Sequence, residues 1–285
     1  MSRALIIHHG RRVGGHWDTD EAGVLRATSL LRVLADHEVT WYTSEAAAPL
    51  LWGNALIDRV VTSPRTARSD LSRERFDLVV NLEPTPGCCA LADGIRARRR
   101  AGYTWDASPN QARLRPTRTL GLPLLGPSYQ DWLFALIDRR WHGEAYVLGY
   151  RPRSGARYDV GLNHLARPGA ADDAWPHRSW TALHRRLTPE RDVSMPVSSP
   201  SILDYIDWVK SCRTIVSGDG LGLHVAIALG KRVVALFGET DPSRVPLYGL
   251  GYAVRPPAGS TDIRAITPAD VAAAVDQAGR VRRAG

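Results

Sequence analysis

The chain has 285 residues, room for two ordinary domains or one large one. With 44% hydrophobic and 23% charged residues it can bury a sizeable core, which excludes wholesale disorder. Lys+Arg 37 against Asp+Glu 29 leaves a net charge of +8, carried almost wholly by arginine, since Lys210 and Lys231 are the only lysines. Arginine suits bidentate phosphate contacts, but Arg- and Ala-rich usage is also what a GC-rich genome writes. The arginine runs at 96–100 and 280–283 read as solvated faces, because no interleaved aromatics or nucleic-acid module accompany them. No nucleic-acid partner is therefore expected, only a modest pull on an anionic small substrate. No apolar run approaches the roughly 18 residues of a membrane span. The apolar start at 4–7 is too short for a signal peptide. Of three cysteines, Cys88 and Cys89 are adjacent, which gives neither a bridge framework nor a ligand spacing. A cytoplasmic, reduced protein is expected.

Strand-like and helix-like segments alternate along the chain. Residues 3–8 (RALIIH) make a short apolar strand that ends in His8-His9-Gly10. In 23–35 the leucines and valines recur at helical spacing, and 38–43 (EVTWYT) is β-branched and aromatic, hence strand. Residues 46–51 are helix-like, 57–62 strand-like, and 76–82 (FDLVVNL) form a buried strand. This βαβ rhythm implies a parallel sheet covered by helices. It is lost over 106–128, where Pro, Gly and Arg recur and a long loop is expected; Cys88-Cys89 falls in a Pro/Gly turn. Residues 128–139 then read as an amphipathic helix, and Pro152 with Gly155 suggests a hinge.

The rhythm restarts in the second half, with strand at 158–163 and helix at 179–187. A helix over 201–210 has Ser201 placed as N-cap and Asp204 three residues on. Residues 213–217, 223–229 and 232–237 give strand, helix, strand, and Thr267-Pro268-Ala269-Asp270 opens a last helix. The expected architecture is α/β: two Rossmann-like domains, 1–150 and 151–285, facing across a cleft. The final helix has room to pack back on the N-terminal domain.

The most informative stretch is 213–242. An apolar strand runs into Gly218-Asp219-Gly220-Leu221-Gly222 and a helix begins at once. Glycines at such a turn let backbone approach a ligand, and the free N–H groups of the helix's first turn face it with a positive dipole end. That arrangement suits a phosphate. Asp219 and His224 can point into the same crevice, and the next strand ends in the polar turn Glu239-Thr240-Asp241-Pro242. Two other readings stay open. The glycines can simply make a turn while His224 caps or packs. Alternatively Gly218, Gly220 and Gly222, with Glu239 roughly 20 residues on, mimic a nicotinamide dinucleotide fingerprint. Against the latter, the unit lies near the C-terminus and its helix is short.

Residues 218–226 and 236–242 resemble the signature of glycosyltransferase family 9, the heptosyltransferases, roughly D-[TS]-G-x-x-H-x-A-x-A-L-G-x-P-x-x-x-L-F-G-x-T. Val160-Gly161-Leu162-Asn163 with Ala174-Trp175-Pro176 and Trp180 looks like the family's V-x-L-N … W-P segment. Residues 203–206 and 24–32 are similar to two of its helices. The resemblance implies a GT-B fold. The C-terminal domain would hold a nucleotide-sugar and the N-terminal domain an acceptor, for an inverting, metal-independent transfer with no cofactor beyond the nucleotide-sugar co-substrate. ADP-heptose is the donor the family suggests. The acceptor would offer a hydroxyl or an amine, and a small secondary-metabolite intermediate is one candidate. Donor binding would fall to Asn163, Arg167, Asp219, Gly220, Leu221, Gly222, His224, Glu239 and Thr240.

The chain also departs from the family. The Gly-Asp before the N-terminal helix falls on Ala22-Gly23, so the usual base position is empty. Asp18, Asp20 and Glu21 lie just upstream; Asp20 and Glu21, closest to the helix start, are the candidates, although each also reads as an ordinary solvated acid. Ala174 replaces the family's Lys, with Arg167, Arg178 and His164 nearby; Gly220 stands for its Thr and Arg232 for its Pro. Asp18-Thr19-Asp20 forms a D-x-D that comes too early to be a metal motif, and His16 with these acids lacks metal-site spacing. The rival functions are an NAD-dependent oxidoreductase on the 218–239 unit and a non-catalytic sugar-nucleotide-binding relative.

Overall fold

A computed structural model describes residues 2–10, 20–108, 110–115, 128–153, 155–165, 174–197 and 201–280. Asp18, His16 and Arg167 lie outside them. The chain divides into two compact units, Met1–Arg151 and Pro152–Gly285.

In the first unit the order is β1 (Ser2–Ile7), α1 (Glu21–Ala27), β2 (His37–Tyr42), β3 (Arg59–Val61), α2 (Pro64–Ser69), β4 (Arg75–Asn81), α3 (Pro86–Gly94), β5 (Arg96–Asp106), β6 (Gln111–Leu114) and α4 (Tyr129–Leu136). The strands form one sheet in the order β3-β2-β1-β4-β5-β6. All neighbours are parallel except β5 and β6. Alternation along each strand sends Ala4, Ile6, Trp41 and Val80 to one face, under Val24, Leu30 and α4's Leu133 and Phe134. Leu5, Ile7, Tyr42 and Val79 pack the other, against Ala67 and Ala92. Both faces are covered, which is why these strands read as continuous apolar runs.

The second unit runs β7 (Tyr158–Asn163), α5 (His177–Leu187), β8 (Val193–Ser194), α6 (Ile202–Ser211), β9 (Cys212–Gly218), α7 (Leu221–Ala228), β10 (Arg232–Leu236), β11 (Gly251–Val254) and α8 (Pro268–Arg280). Its five strands lie in the order β11-β10-β9-β7-β8, all parallel. Ser201 caps α6 by accepting from the Asp204 N–H at 3.1 Å, and Thr267 accepts from Asp270 at 3.2 Å at the head of α8. Val271, Val275 and Ala278 of α8 are buried with Trp175, Trp180 and Leu183 in this unit's own core. Trp175 and Trp180 meet edge to face at 4.8 Å, and each indole N–H finds a backbone carbonyl. Among the described residues no helix is long and apolar enough to cross a membrane.

Several local expectations are corrected. The helix over 23–35 ends at Ala27 and continues as a 3-10 turn, Thr28–Arg32, whose Thr28 and Ser29 hydroxyls bond back to carbonyls three residues earlier. Residues 46–51 form only the 3-10 turn Ala48–Leu50. Cys88 and Cys89 sit in helix α3, not a turn: Thr85 caps it and Pro86 occupies its first turn. The arginine run at 96–100 is the start of β5, with Arg96 and Arg98 exposed as a solvated face requires and Arg99 and Arg100 partly buried. Arg100 donates to the Ala92 and Ile95 carbonyls at the end of α3, and Arg99 pairs with Asp138. The expected loop over 106–128 contains β6, while 116–127 lie outside the described residues.

Candidate functional site

In each sheet one pair of neighbouring strands marks where the chain's connections diverge to opposite edges. Such a switch point leaves a crevice beyond the strands' carboxyl ends. In the second unit the pair is β7 and β9, and in the first it is β1 and β4. Most of the candidate residues gather at these two points.

At the β7/β9 point Asn163 stands opposite Ser217, and its amide donates to the Ser217 hydroxyl at 2.8 Å. Asn163 is 7% exposed, and its Oδ1 has no hydrogen-bond partner among the described residues. α7 starts immediately beyond β9. Gly220 is its N-cap in an extended conformation, and no side chain caps the helix, so the first-turn N–H groups keep their outward polarity. A Cβ on Gly222 would run into the Tyr205 hydroxyl and the Asn163 amide, so α7 can sit this close to β7 and α6 only with glycine there. Burial pushes the Tyr205 phenol well above its usual range, which keeps it neutral. His224 is buried at 1% exposure, with Nε2 3.5 Å from Asp219 Oδ1. The imidazole thus ties the helix's first turn to the strand-end carboxylate.

Glu239 and Thr240 follow β10 at the same carboxyl edge, Glu239 exposed and Thr240 half-buried. Asp241 is the cap of the next 3-10 turn; the Ser243 N–H it accepts holds its carboxyl below the usual range. His164 follows Asn163, with Nδ1 buried and unpartnered among the described residues. Burial, with His177 at 6.2 Å, lowers its pKa. Arg178, in the first turn of α5, is exposed.

At the β1/β4 point the two candidate bases separate. Asp20 is the N-cap of α1 and accepts the Gly23 N–H at 3.0 Å, which commits one carboxylate oxygen to the helix start. Glu21 makes no such cap. Burial, and secondarily the Asp20 charge, raise its pKa. Beside them stands a pair the sequence reasoning missed. His8, one residue past β1, and Glu83, two residues past β4, are both wholly buried and meet at 3.1 Å between Nδ1 and Oε1. A buried Glu and His in two separate apolar strands give no spacing signal; only their placement at strand ends hinted at them. Among the described residues no three His, Cys, Asp or Glu side chains gather as a metal cage.

Residues 200–255 match the model of glycosyltransferase family 9 (heptosyltransferase). That stretch is the part of the chain similar to family 9. It runs from α6 to β11 and holds Asp219, Gly220, Leu221, Gly222, His224, Glu239 and Thr240, whereas Asn163, Asp20 and Glu21 lie outside it. The family resemblance read from the sequence therefore stands. ADP-heptose lps heptosyltransferase II of E. coli aligns over 97% of this chain and 98% of its own, with a TM-score of 0.71 at 17% identity. E. coli heptosyltransferase WaaC, solved with ADP, aligns over 97% and 99% with a TM-score of 0.69 at 14% identity. The dodecameric iron-containing heptosyltransferase TibC, in complex with ADP-D-beta-D-heptose, covers 98% of this chain and 77% of its own, at TM-score 0.57 and 12% identity. The chain shares the GT-B fold of these heptosyltransferases. No curated protein matches it significantly by sequence.

Proposed function

We propose that the protein is an inverting, metal-independent glycosyltransferase. It would take a sugar, a heptose in the first instance, from a nucleoside diphosphate donor, ADP-heptose in the first instance, and pass it to a hydroxyl or amine acceptor in the cytoplasm. A small secondary-metabolite intermediate is the acceptor class we favour. The single observation that carries this reading is the uncapped α7 N-terminus, opened by glycines at the β7/β9 switch point, within the family 9 segment. A departing diphosphate gains negative charge, and helix N–H groups fixed in advance stabilise it without reorganising. Asn163 Oδ1, buried and unpartnered among the described residues, is suited to accept an N–H or O–H from the donor. Asp219 and His224 shape the turn, and Glu239 and Thr240 border it. Arg167 remains a proposed phosphate contact.

On the acceptor side we assign the base to Glu21, because Asp20 is occupied as a cap. The Glu21 carboxylate takes the acceptor's proton as the acceptor oxygen or nitrogen attacks the anomeric carbon. The bond from that carbon to the diphosphate breaks, the nucleoside diphosphate leaves, and configuration inverts.

Thermal stabilisation by ADP, UDP, GDP, dTDP and NAD tests the reading, since a ligand of the native state raises Tm by mass action. One nucleoside diphosphate should raise Tm, ADP first among them, and NAD should not. His224→Ala should shrink that shift, equivalent to about a tenfold weaker affinity. A shift with NAD alone overturns the transferase and makes 218–239 a dinucleotide site. Binding without turnover of any nucleotide-sugar would make the protein a non-catalytic relative. Turnover that EDTA abolishes and iron restores would overturn metal independence.

A further inference from the structure

His8 and Glu83 belong to the first unit and are not among the residues assigned to the donor. Both are 0% exposed, at the ends of the two strands flanking the N-terminal switch point. Glu83 Oε1 accepts three donors: the His9 N–H at 2.5 Å, the Gly10 N–H at 3.1 Å and His8 Nδ1 at 3.1 Å. The Glu83 backbone is itself held, its N–H by Asn81 Oδ1 at 3.1 Å and its carbonyl by the Cys89 thiol at 3.5 Å. Gly10 has φ +74, and a Cβ there would meet Val24 and Ala47 at 2.9 Å, with the Glu21 Cα 3.8 Å away. The carboxylate thus clamps the backbone that lies directly against the first turn of α1. A buried carboxyl group held by two main-chain N–H groups and an imidazole is costly to build merely as a fastener. His8 Nε2 and Glu83 Oε2, both buried, have no partner among the described residues.

We infer that Glu83, with His8, is the positioning pair of the acceptor side: by clamping Gly10 against α1 it fixes where Glu21 stands and keeps that carboxyl desolvated. The inference rests on Glu21 being the base, as proposed above. Glu83 replaces no reacting group and takes no proton from the acceptor. The family's acid position is empty here, and an acid two residues earlier needs its own support to hold a productive geometry.

Among the described residues, the titratable groups that face this cluster include His8 itself, His9 against Tyr42 at 5.5 Å, Tyr42 on β2, Cys88 on α3, and Asp20 beside Glu21. Tyr42 is raised by burial and Cys88 is pushed up to about 11, so neither ionises near neutral pH.

The test follows the Glu21 side-chain carboxyl by 13C NMR titration in wild type, Glu83→Gln and Glu83→Asp, with Glu21→Gln to assign the resonance. Donor turnover is measured alongside, as ADP release from ADP-heptose. Gln keeps the size of the clamp and an accepting oxygen but no carboxylate, and Asp is too short to reach all three donors. In both variants the Glu21 pKa should fall toward the ordinary carboxylate value, and kcat should drop about tenfold or more, with donor KM within about twofold. Because a fastener would lower Tm without moving the Glu21 titration, unchanged titration and kcat in folded variants overturn the inference. If neither variant folds, amide exchange in wild type decides: His9 and Gly10 should be protected as strongly as β1, and rapid exchange overturns the clamp. Absence of turnover in wild type would overturn the functional reading while leaving the titration to judge the clamp.

Discussion

Gly222→Ala is expected to cost the protein its donor nucleotide. The added methyl would occupy the space of the Tyr205 hydroxyl and the Asn163 amide, both fixed by burial. Overpacking of this kind costs about 1–3 kcal/mol, and the relief available is to push α7 away from β7. That movement turns the first-turn N–H groups from the diphosphate and breaks the Asn163–Ser217 bond. Isothermal titration with ADP, or with whichever nucleoside diphosphate stabilises wild type, should show affinity lower by about 100-fold, that is about 2.7 kcal/mol. Adding Tyr205→Phe to Gly222→Ala removes one of the two obstructing atoms and should recover part of the loss. Wild-type affinity in Gly222→Ala would mean that α7 does not bind the diphosphate.

Glu21→Gln should lower kcat by about 10²–10⁴-fold and leave donor affinity intact, as removal of a general base does. Asp20→Asn, which keeps a capping oxygen at the N-cap, should cost far less. The pH dependence has a definite sign. The proposed reaction needs the Glu21 carboxylate deprotonated, and burial raises its pKa. The rate should fall as pH drops through that raised value, at higher pH than an ordinary glutamate would give. For stability the direction reverses. A folded-state pKa above the unfolded one favours the protonated fold, so this contribution is full below the unfolded pKa and is lost as pH rises through the folded one. Glu21→Gln removes that loss and should match or exceed wild-type Tm at neutral pH. An inactive variant that is no less stable is the pattern of a functional acid held in an unfavourable place.

Much of the second unit was legible because its signals are local. Ser201 with Asp204, Thr267 with Asp270, and the glycines ahead of His224 each declare a helix start through their immediate neighbours. The apolar run of β10 declares a buried parallel strand. The first unit was read less well. β5 opens with alternating and consecutive arginines, which carry no β-branched or period-two signal. It is a strand because β4 lies beside it and because α3's terminal carbonyls and Asp138 take up the guanidinium groups. The extension of α1 was overestimated because Thr28 and Ser29 turn their hydroxyls back on the helix, which an apolar periodicity does not register.

The same division separates the two halves of the candidate site. The chain's order of glycines, histidine and acid beyond β9 fixes a helix start suited to phosphate, because the chemistry lies in neighbours a few residues apart along one strand-turn-helix. Strand pairing decided the rest. It set Asn163 against Ser217, and it brought His8 and Glu83, 75 residues apart, within hydrogen-bond reach. Burial then split Asp20 from Glu21, two adjacent acids alike in sequence, because one faces its own helix's N–H groups and the other loses water. Short-range hydrogen bonding can be read from residue order, whereas desolvation and contacts between distant strands exist only once the sheet has closed.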